Sequence, residues 1–316
     1  MTIAVVVATH DRPRRLAALL AALRAQRRAA NEVVVVDDGS AAETALVLER
    51  ELELGELPLR VIRLERAGGP AAAREQGWRA SAPELIAFTD DDCAPTRDWL
   101  AELERAAAAN PGRFVQGRTL PDPAEIGDFG PFSRSIWVRE LDPAFQTCNI
   151  AYPRELLERI DGFDTVTFGR EPGGEDCDLA WRAIAAGARP VFAPGALVHH
   201  AVDDVGPLGK LRVAARWTTP MAAYARHAEL RREAFRFGVF WKDIHWMLFK
   251  AVVALLLPSR WHLLRAWLAY PYLRDVWARG KVEGGGPALA PYFVTHDLIE
   301  VGAVARAAVR NRTPML

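Results

Sequence analysis

Cysteine is scarce in this 316-residue chain: Cys93, Cys148 and Cys177 are an odd number, and no two have C-x-x-C spacing. That excludes a disulfide framework and a zinc site as organising devices, and a reducing compartment is expected. Long apolar runs are missing. The longest, Ala251–Leu257, lies between Lys250 and Pro258 and is far short of the ~20 residues that span a bilayer. Ile3–Ala8 is too short for a signal-peptide core and no basic leader precedes it, so a cytoplasmic location is expected. Neither GxGxxG nor GxxxxGK[ST] occurs, which sets aside dinucleotide and P-loop chemistry. A net charge of one sign is also absent. Forty Lys+Arg balance 40 Asp+Glu, and no nucleic-acid partner is expected.

The first hundred residues alternate two periods. Ile3–Ala8, Val33–Val36 and Leu85–Thr89 are continuous apolar runs, the pattern of strands buried on both faces. Leu59–Leu64 reads as a further strand. Leu16, Leu19, Leu20 and Leu23 repeat at helical spacing, and Gly68-Gly69-Pro70 opens a helix through Ala80. Ser40 and Glu43 have capping-box spacing for the helix between the second and third strands. Strands separated by helices imply a mainly parallel sheet, in which ligands bind beyond the carboxyl ends of strands. The polar tips Thr9-His10-Asp11, Asp37-Asp38-Gly39-Ser40 and Asp90-Asp91-Asp92 should therefore meet at one crevice. Farther on, Arg113–Gly117 reads as a strand, Ala151–Ile160 as a helix ending at Gly162, and Asp176–Ala186 as a helix ending at Gly187. Pro190–Phe192 and Ala196–Val198 read as two short strands.

Residues 205–282 differ in kind, with 14 Lys+Arg against 4 Asp+Glu and six of the ten tryptophans. Basic, tryptophan-rich helices suit a membrane interface, and equally a helical cap whose basic face is in water. Gly284-Gly285-Gly286-Pro287 reads as a linker before a modest helix near Thr295–Val309. Expected domains are 1–203, 204–282 and 283–316.

The acidic stretch Phe88-Thr89-Asp90-Asp91-Asp92-Cys93-Ala94-Pro95 carries the chemistry. Three adjacent carboxylates repel one another and are costly to desolvate unless a cation sits among them. Mg²⁺ and Mn²⁺ prefer oxygen ligands and bridge a carboxylate to a substrate phosphate. A solvated acidic turn is the plain alternative. The buried strand before the stretch, and the Pro95-Thr96-Arg97-Asp98-Trp99 helix start after it, favour the metal.

Five segments taken in order resemble a family 2 glycosyltransferase of the GT-A fold. They are Val7–Arg12, Val35–Ser40, Gly69–Arg74, Phe88–Asp92 and Gly174–Arg182, spread over residues 1–203. The resemblance implies an α/β GT-A sheet flanked by helices, followed here by a helical extension. It also implies sugar transfer from a nucleotide donor, with inversion and with Mg²⁺ or Mn²⁺. Thr9 and Asp38 then match nucleoside-binding positions, with Asp37 as the alternative inward-facing carboxylate. Arg74, at a helix N-terminus, can contact a diphosphate or lie on the surface. Asp92 matches the metal ligand. Asp91 is the alternative ligand, with Asp90 reaching sugar or ribose. Asp176 matches the base, and Glu175 and Asp178 read as helix-dipole charges. His200, selected by its spacing from Pro194, completes the metal shell or is simply packed. Trp99 and Trp181 pack core or line the cleft, and Thr147-Cys148-Asn149 sits where the family often lines the sugar pocket. Arg216-Trp217 partly matches the QxxRW motif of processive synthases, but Val213 occupies the Gln position.

The expected donor is a UDP- or dTDP-sugar. The expected acceptor is a saccharide or lipid-linked precursor of the cell envelope, met at the inner face of the plasma membrane. The rivals are a sugar-phosphate nucleotidyltransferase and a non-catalytic nucleotide-sugar binder. The first lacks its Gly-rich basic loop after strand one, and the second has no need of Asp92 and Asp176.

Overall fold

The run Ile3–Thr9 forms β1, wholly buried but for one position, and every later strand of its half of the sheet is registered from it. A computed structural model describes residues 1–169, 173–282 and 286–316. After β1 come α1 (Pro13–Arg24), β2 (Glu32–Asp37), α2 (Ala42–Leu54), β3 (Leu59–Arg63), α3 (Pro70–Ala80) and β4 (Leu85–Thr89). β1 pairs in parallel with β2 and β4, and β2 with β3. Because these strands run parallel, Thr9, Asp37 and Thr89 lie at one end of the sheet. Gly77 lets α3 lie close on these strands. A Cβ there would sit 2.5 Å from Val6 Cγ1 and 3.1 Å from Val36 Cγ2.

The chain continues through β5 (Cys93–Pro95), α4 (Trp99–Ala109), β6 (Phe114–Pro121), β7 (Ser133–Arg134), β8 (Asn149–Pro153), α5 (Arg154–Arg159), α6 (Glu175–Ala185) and β9 (Pro190–His200), of which β7 lies outside the main sheet. Its eight strands run β3-β2-β1-β4-β8-β6-β9-β5, a mixed order. β8 is antiparallel to β4 and β6, while β6 and β9 are parallel.

Three local expectations are corrected. Ala151–Ile160 is not one helix: Ala151 pairs with Ala87 and Val115, so Asn149–Pro153 is a strand and only Arg154–Arg159 is helical. The two short strands after Pro190 are one. β9 is interrupted where its register on β6 shifts between Gly117 and Arg118, and Asn149 Nδ2 ties Arg118 O and Ala196 O at 2.8 and 2.9 Å. Ser40 does not cap α2. Its Oγ accepts the Asp11 amide at 3.0 Å and its own amide donates to Asp37, which closes the turn instead.

The chain divides into two compact units, Met1–Gly127 with Ser135–Val202, and Asp128–Arg134 with Asp203–Leu316. The second holds β7 paired with β10 (Asp203–Asp204), followed by α7 (Gly206–Ala215), α8 (Met221–Arg226), α9 (Ala228–Ala234), α10 (Asp243–Leu256), α11 (His262–Val282) and α12 (Ala290–Asn311). The last helix is longer than the expected Thr295–Val309. It buries Phe293, Asp297, Glu300, Val304 and Ala307 on one face. Asp297 accepts from Arg279 and Tyr272, and Glu300 from Lys242 at 2.7 Å, with His245 Nε2 at 3.1 Å. Paired carboxylates thus take core positions that an apolar pattern does not show. Half of the expected linker, Gly284 and Gly285, lies outside the described residues. No helix among the described residues is long and apolar enough to cross a membrane.

Candidate functional site

The buried end of β4 delivers Asp90, Asp91 and Asp92, and contacts across long sequence separations decide what each can do. Thr9 Oγ1 donates to Asp91 Oδ2 at 2.8 Å. Arg12 Nη1 donates to Asp91 Oδ1 at 3.1 Å and Asp92 Oδ2 at 2.5 Å. Arg74 Nη2 donates to Asp90 Oδ1 at 2.7 Å and its Nη1 to Glu175 Oε1 at 2.8 Å. A single guanidinium therefore joins the strand end to α6. Arg74 is buried, which works against its charge, but Asp90 and Glu175 outweigh that and hold it above the usual arginine range. Burial raises the Asp91 carboxyl to about 6, with Arg12 pulling it down and Asp92 adding to the rise.

Asp92 Oδ1 is buried and accepts no hydrogen bond. His200 Nε2 lies 3.4 Å from it. His200 Nδ1 contacts Ala201 O at 2.8 Å. A carbonyl only accepts, so Nδ1 carries a proton, and in the neutral ring Nε2 then presents its lone pair to the carboxylate. Two electron-rich atoms facing each other call for a cation between them. The fixed imidazole has the backbone anchor usual for a metal-binding histidine. Cys93 Sγ lies within 4.8 Å of both ligand atoms. Its thiol faces Cys148 O at 3.8 Å, and burial pushes its pKa well up, which leaves the oxygen and nitrogen donors to hold an ion. Those donors fit Mn²⁺, and Mg²⁺ with water filling the remaining positions.

Asp176 lies in the first turn of α6. Gly173 and Gly174 precede it at φ 114° and 91°, which glycine adopts without strain. Glu175 Oε2 accepts the Gly173 amide at 2.8 Å, so its side chain fixes both this turn and Arg74. Asp176 is partly exposed. Its surroundings desolvate it, and with the adjacent Glu175 carboxylate they push its pKa to about 7 against the pull of Arg74. Asp178, fully buried, accepts from Arg182 Nε at 2.8 Å, and Arg182 Nη1 donates to Ile160 O at 2.6 Å. That makes Asp178 a structural anion.

Asp38 is buried with its carboxylate turned onto the loop before α3. Its two oxygens accept the Gly68 and Gly69 amides at 2.7 and 2.9 Å, and its own amide donates to Thr9 O. Asp37 Oδ2 is buried without a hydrogen bond, with Arg63 Nη1 at 3.5 Å. Thr9, Asp38, Arg74, Asp90, Asp91, Asp92 and His200 are thereby linked by hydrogen bonds, ion pairs and chain adjacency, and Asp176 joins them as the chain neighbour of Glu175. Two members escaped sequence reasoning. Arg12 follows the Thr9-His10-Asp11 tip and has no signature of its own, and Glu175 reads as an ordinary helix-start charge. The signal for both is an excess of nearby carboxylate that something must neutralise.

A family model described as Glycosyl transferase family 2 matches residues 4–166. The chain is 30% identical over 211 residues to a pre-mycofactocin glycosyltransferase of Mycobacterium tuberculosis, a match that covers 63% of this chain and 42% of that protein. It is 29% identical over 208 residues to the succinoglycan biosynthesis protein ExoM of Rhizobium meliloti, covering 63% and 66% respectively. In both cases the match spans under two thirds of the relative's length. Among solved structures, the mannosyltransferase PcManGT from Pyrobaculum calidifontis, in complex with GDP-Man and Mn²⁺, aligns with TM-score 0.61 and 22% identity over 98% of this chain and 86% of that one. S. aureus TarS 1–349 in complex with UDP-GlcNAc aligns with TM-score 0.56 and 16% identity over 99% and 93%. At these identities the structural likeness concerns the fold.

Proposed function

The chain belongs to glycosyl transferase family 2 and has the GT-A fold with a helical C-terminal region, and from that premise we propose that it transfers a sugar from a nucleotide-diphosphate donor to an acceptor hydroxyl with inversion. The observation that carries this is the facing pair Asp92 Oδ1 and His200 Nε2, tied through Asp90 and Arg74 to the helix start that holds Asp176. Asp92 and His200 would hold Mg²⁺ or Mn²⁺, whose chemistry there is to offset charge on the departing diphosphate. Thr9 and the Asp38-held loop bound the nucleoside side. Arg74 positions Asp90 and Glu175. Asp176 takes the acceptor hydroxyl proton as that oxygen bonds to the anomeric carbon, whose bond to the diphosphate oxygen breaks with the electron pair leaving on the nucleotide.

The expected donor is a UDP- or dTDP-sugar. The names of the solved neighbours carry GDP-Man and UDP-GlcNAc, so all three bases belong in the test. Incubated with a panel of nucleotide sugars and Mn²⁺, the protein should release nucleoside diphosphate from one base class and stop when EDTA is added. No release from any donor, or release that EDTA leaves unchanged, rules against this reading.

The acceptor is a saccharide or lipid-linked precursor of an envelope polysaccharide. The relative named for succinoglycan biosynthesis supports the polysaccharide half of this proposal. The lipid half rests on α10 and α11. These two helices pack together, with Arg265 Nε donating to Ala254 O at 2.9 Å. They leave Leu256, Leu263 and Trp267 at 80, 76 and 69% exposure. From residue 244 to 274 there is no acidic residue, while Lys250, Arg260, Arg265 and Arg274 are basic. An exposed apolar and tryptophan-bearing stripe with only positive charge suits an anionic bilayer surface. The protein should co-sediment with phosphatidylglycerol vesicles at low salt and not with phosphatidylcholine alone. Leu263→Glu with Trp267→Glu should lower the bound fraction about tenfold. Equal partitioning of wild type and variant would remove the membrane from the proposal.

A further inference from the structure

Away from the Asp92–His200 pair, β6 and β9 form a recess of about 570 Å³ lined by Arg118, Leu120, Ile126, Trp137, Arg139 and His199, with two prolines. No acidic residue lines it. Arg118 is partly buried, its Nε is shut off from solvent, and its guanidinium makes no hydrogen bond or ion pair among the described residues. His199 Nδ1 is likewise buried without a hydrogen bond. The Arg139 guanidinium lies 5.0 Å from the Trp137 ring centroid and meets no carboxylate among the described residues. A half-buried guanidinium with no anion beside it is a costly arrangement, and an incoming anion relieves it.

We propose that this recess seats an anionic group carried by the acceptor saccharide, a phosphate or a uronate carboxylate, on Arg118 and Arg139, with the sugar ring against Trp137. The assignment rests on reading the chain as a glycosyltransferase, and its location supports it. Leu120 pairs with His199 and Pro121 with His200, so the two histidines turn to opposite faces of the strand pair. The recess is therefore not part of the Asp92–His200 site assigned to the donor diphosphate. Phe114, Gln116 and Arg118 alternate onto one face of β6, and that face leads to α6. Gln116 Oε1 accepts the Asp142 amide at 2.9 Å, and the next residue's carbonyl, Pro143 O, accepts Trp181 Nε1 at 2.8 Å. A second recess of about 630 Å³ runs along residues 137–143 and shares Trp137 and Arg139 with the first. It carries Glu140 and Asp142, so the cationic end is the one at Arg118. An acceptor anchored there by its charge can lie along 137–143 toward α6, whose first turn holds Asp176. Guanidinium groups bind phosphate or carboxylate through paired, charge-assisted hydrogen bonds, and the indole supplies an apolar face for the ring.

The test is calorimetric titration at low salt, without donor or metal, of four probes: glucose 6-phosphate, glucuronate, methyl glucoside and inorganic phosphate. At least one anionic sugar should bind about tenfold more tightly than methyl glucoside. Which of the two does so distinguishes phosphate from carboxylate. Arg118→Gln should weaken that binding about tenfold, and Arg139→Gln, at an exposed position, should weaken it in the same direction if Arg118→Gln does not fold. Melting temperatures check folding of each variant. Equal affinity for anionic and neutral sugars overturns the proposal, as does unchanged affinity in both variants. Inorganic phosphate binding as tightly as glucose 6-phosphate removes the sugar from it. Because no turnover is measured, failure here is distinct from failure to hydrolyse any donor.

Discussion

Replacing Asp92 with alanine is expected to lower metal-dependent release of nucleoside diphosphate by about a thousandfold or more, the scale of losing several kcal/mol of charge stabilisation at a leaving group. The expectation comes from the one carboxylate oxygen in the acidic stretch that is buried, unbonded and faced by an imidazole lone pair. The other Asp92 oxygen already accepts from Arg12, so the variant also removes one carboxylate partner of that guanidinium while Asp91 keeps its contact. Two readouts separate these effects. Mn²⁺ binding, followed by the loss of its free paramagnetic signal, should disappear in Asp92→Ala and in His200→Ala. Nucleoside diphosphate affinity without metal should change little in either. Full activity in Asp92→Ala, or Mn²⁺ binding that survives both substitutions, would remove Asp92 and His200 from the site.

Asp176→Asn is expected to lower turnover by roughly 10²- to 10⁴-fold, the usual worth of a positioned general base. A pH profile gives the sharper result. A base must be unprotonated to accept, and the Asp176 carboxyl is raised to about 7 by desolvation first and Glu175 second. Wild-type kcat/KM should therefore fall about tenfold per unit as pH drops below about 7, and level off above it. Asp176→Asn should abolish that limb, and a limb near 4 in the wild type would reassign the base. The same shift sets the sign of the stability effect. The fold disfavours the charged form, so stability falls as pH rises from the ordinary aspartate value toward 7. Asparagine escapes this, and the variant should melt no lower than wild type at pH 8. A lowered melting temperature would mean that lost activity reports lost structure.

How much of this was legible depends on where each residue finds its partner. β1, β2 and β4 were legible because a strand buried on both faces must be apolar throughout, and the core around Val5, Val35 and Ala87 shows it. β8 was not. Ala151-Tyr152-Pro153 satisfies a helical pattern as well as an extended one, and only pairing with Ala87 and Val115 settles the matter. α12 was read short at both ends, as Thr295–Val309 within Ala290–Asn311, and the burial of Asp297 and Glu300 on its inner face is explained only by Arg279, Lys242 and His245. In the site, the acidic residues were visible and their division of labour was not. Asp38 was expected at the nucleoside, and the sequence did not show that both its oxygens also hold the Gly68–Gly69 loop. Arg74 was read at a diphosphate or on the surface, and the structure buries it, with its two Nη atoms on Asp90 and Glu175.

By itself the sequence determined which segments had to be buried and which residue types stood at their polar ends, because burial preference and carboxylate chemistry belong to each residue wherever it lies. Only the tertiary structure decided which carboxylate is neutralised, which is spent on backbone amides and which keeps an open oxygen. Those outcomes depend on partners about 30 to 110 positions away in the chain, such as Gly68 and Gly69 for Asp38, Thr9 for Asp91, Arg12 and His200 for Asp92, and Arg74 for Glu175. A charge acts over a few ångströms of space, and no spacing along the chain encodes that distance.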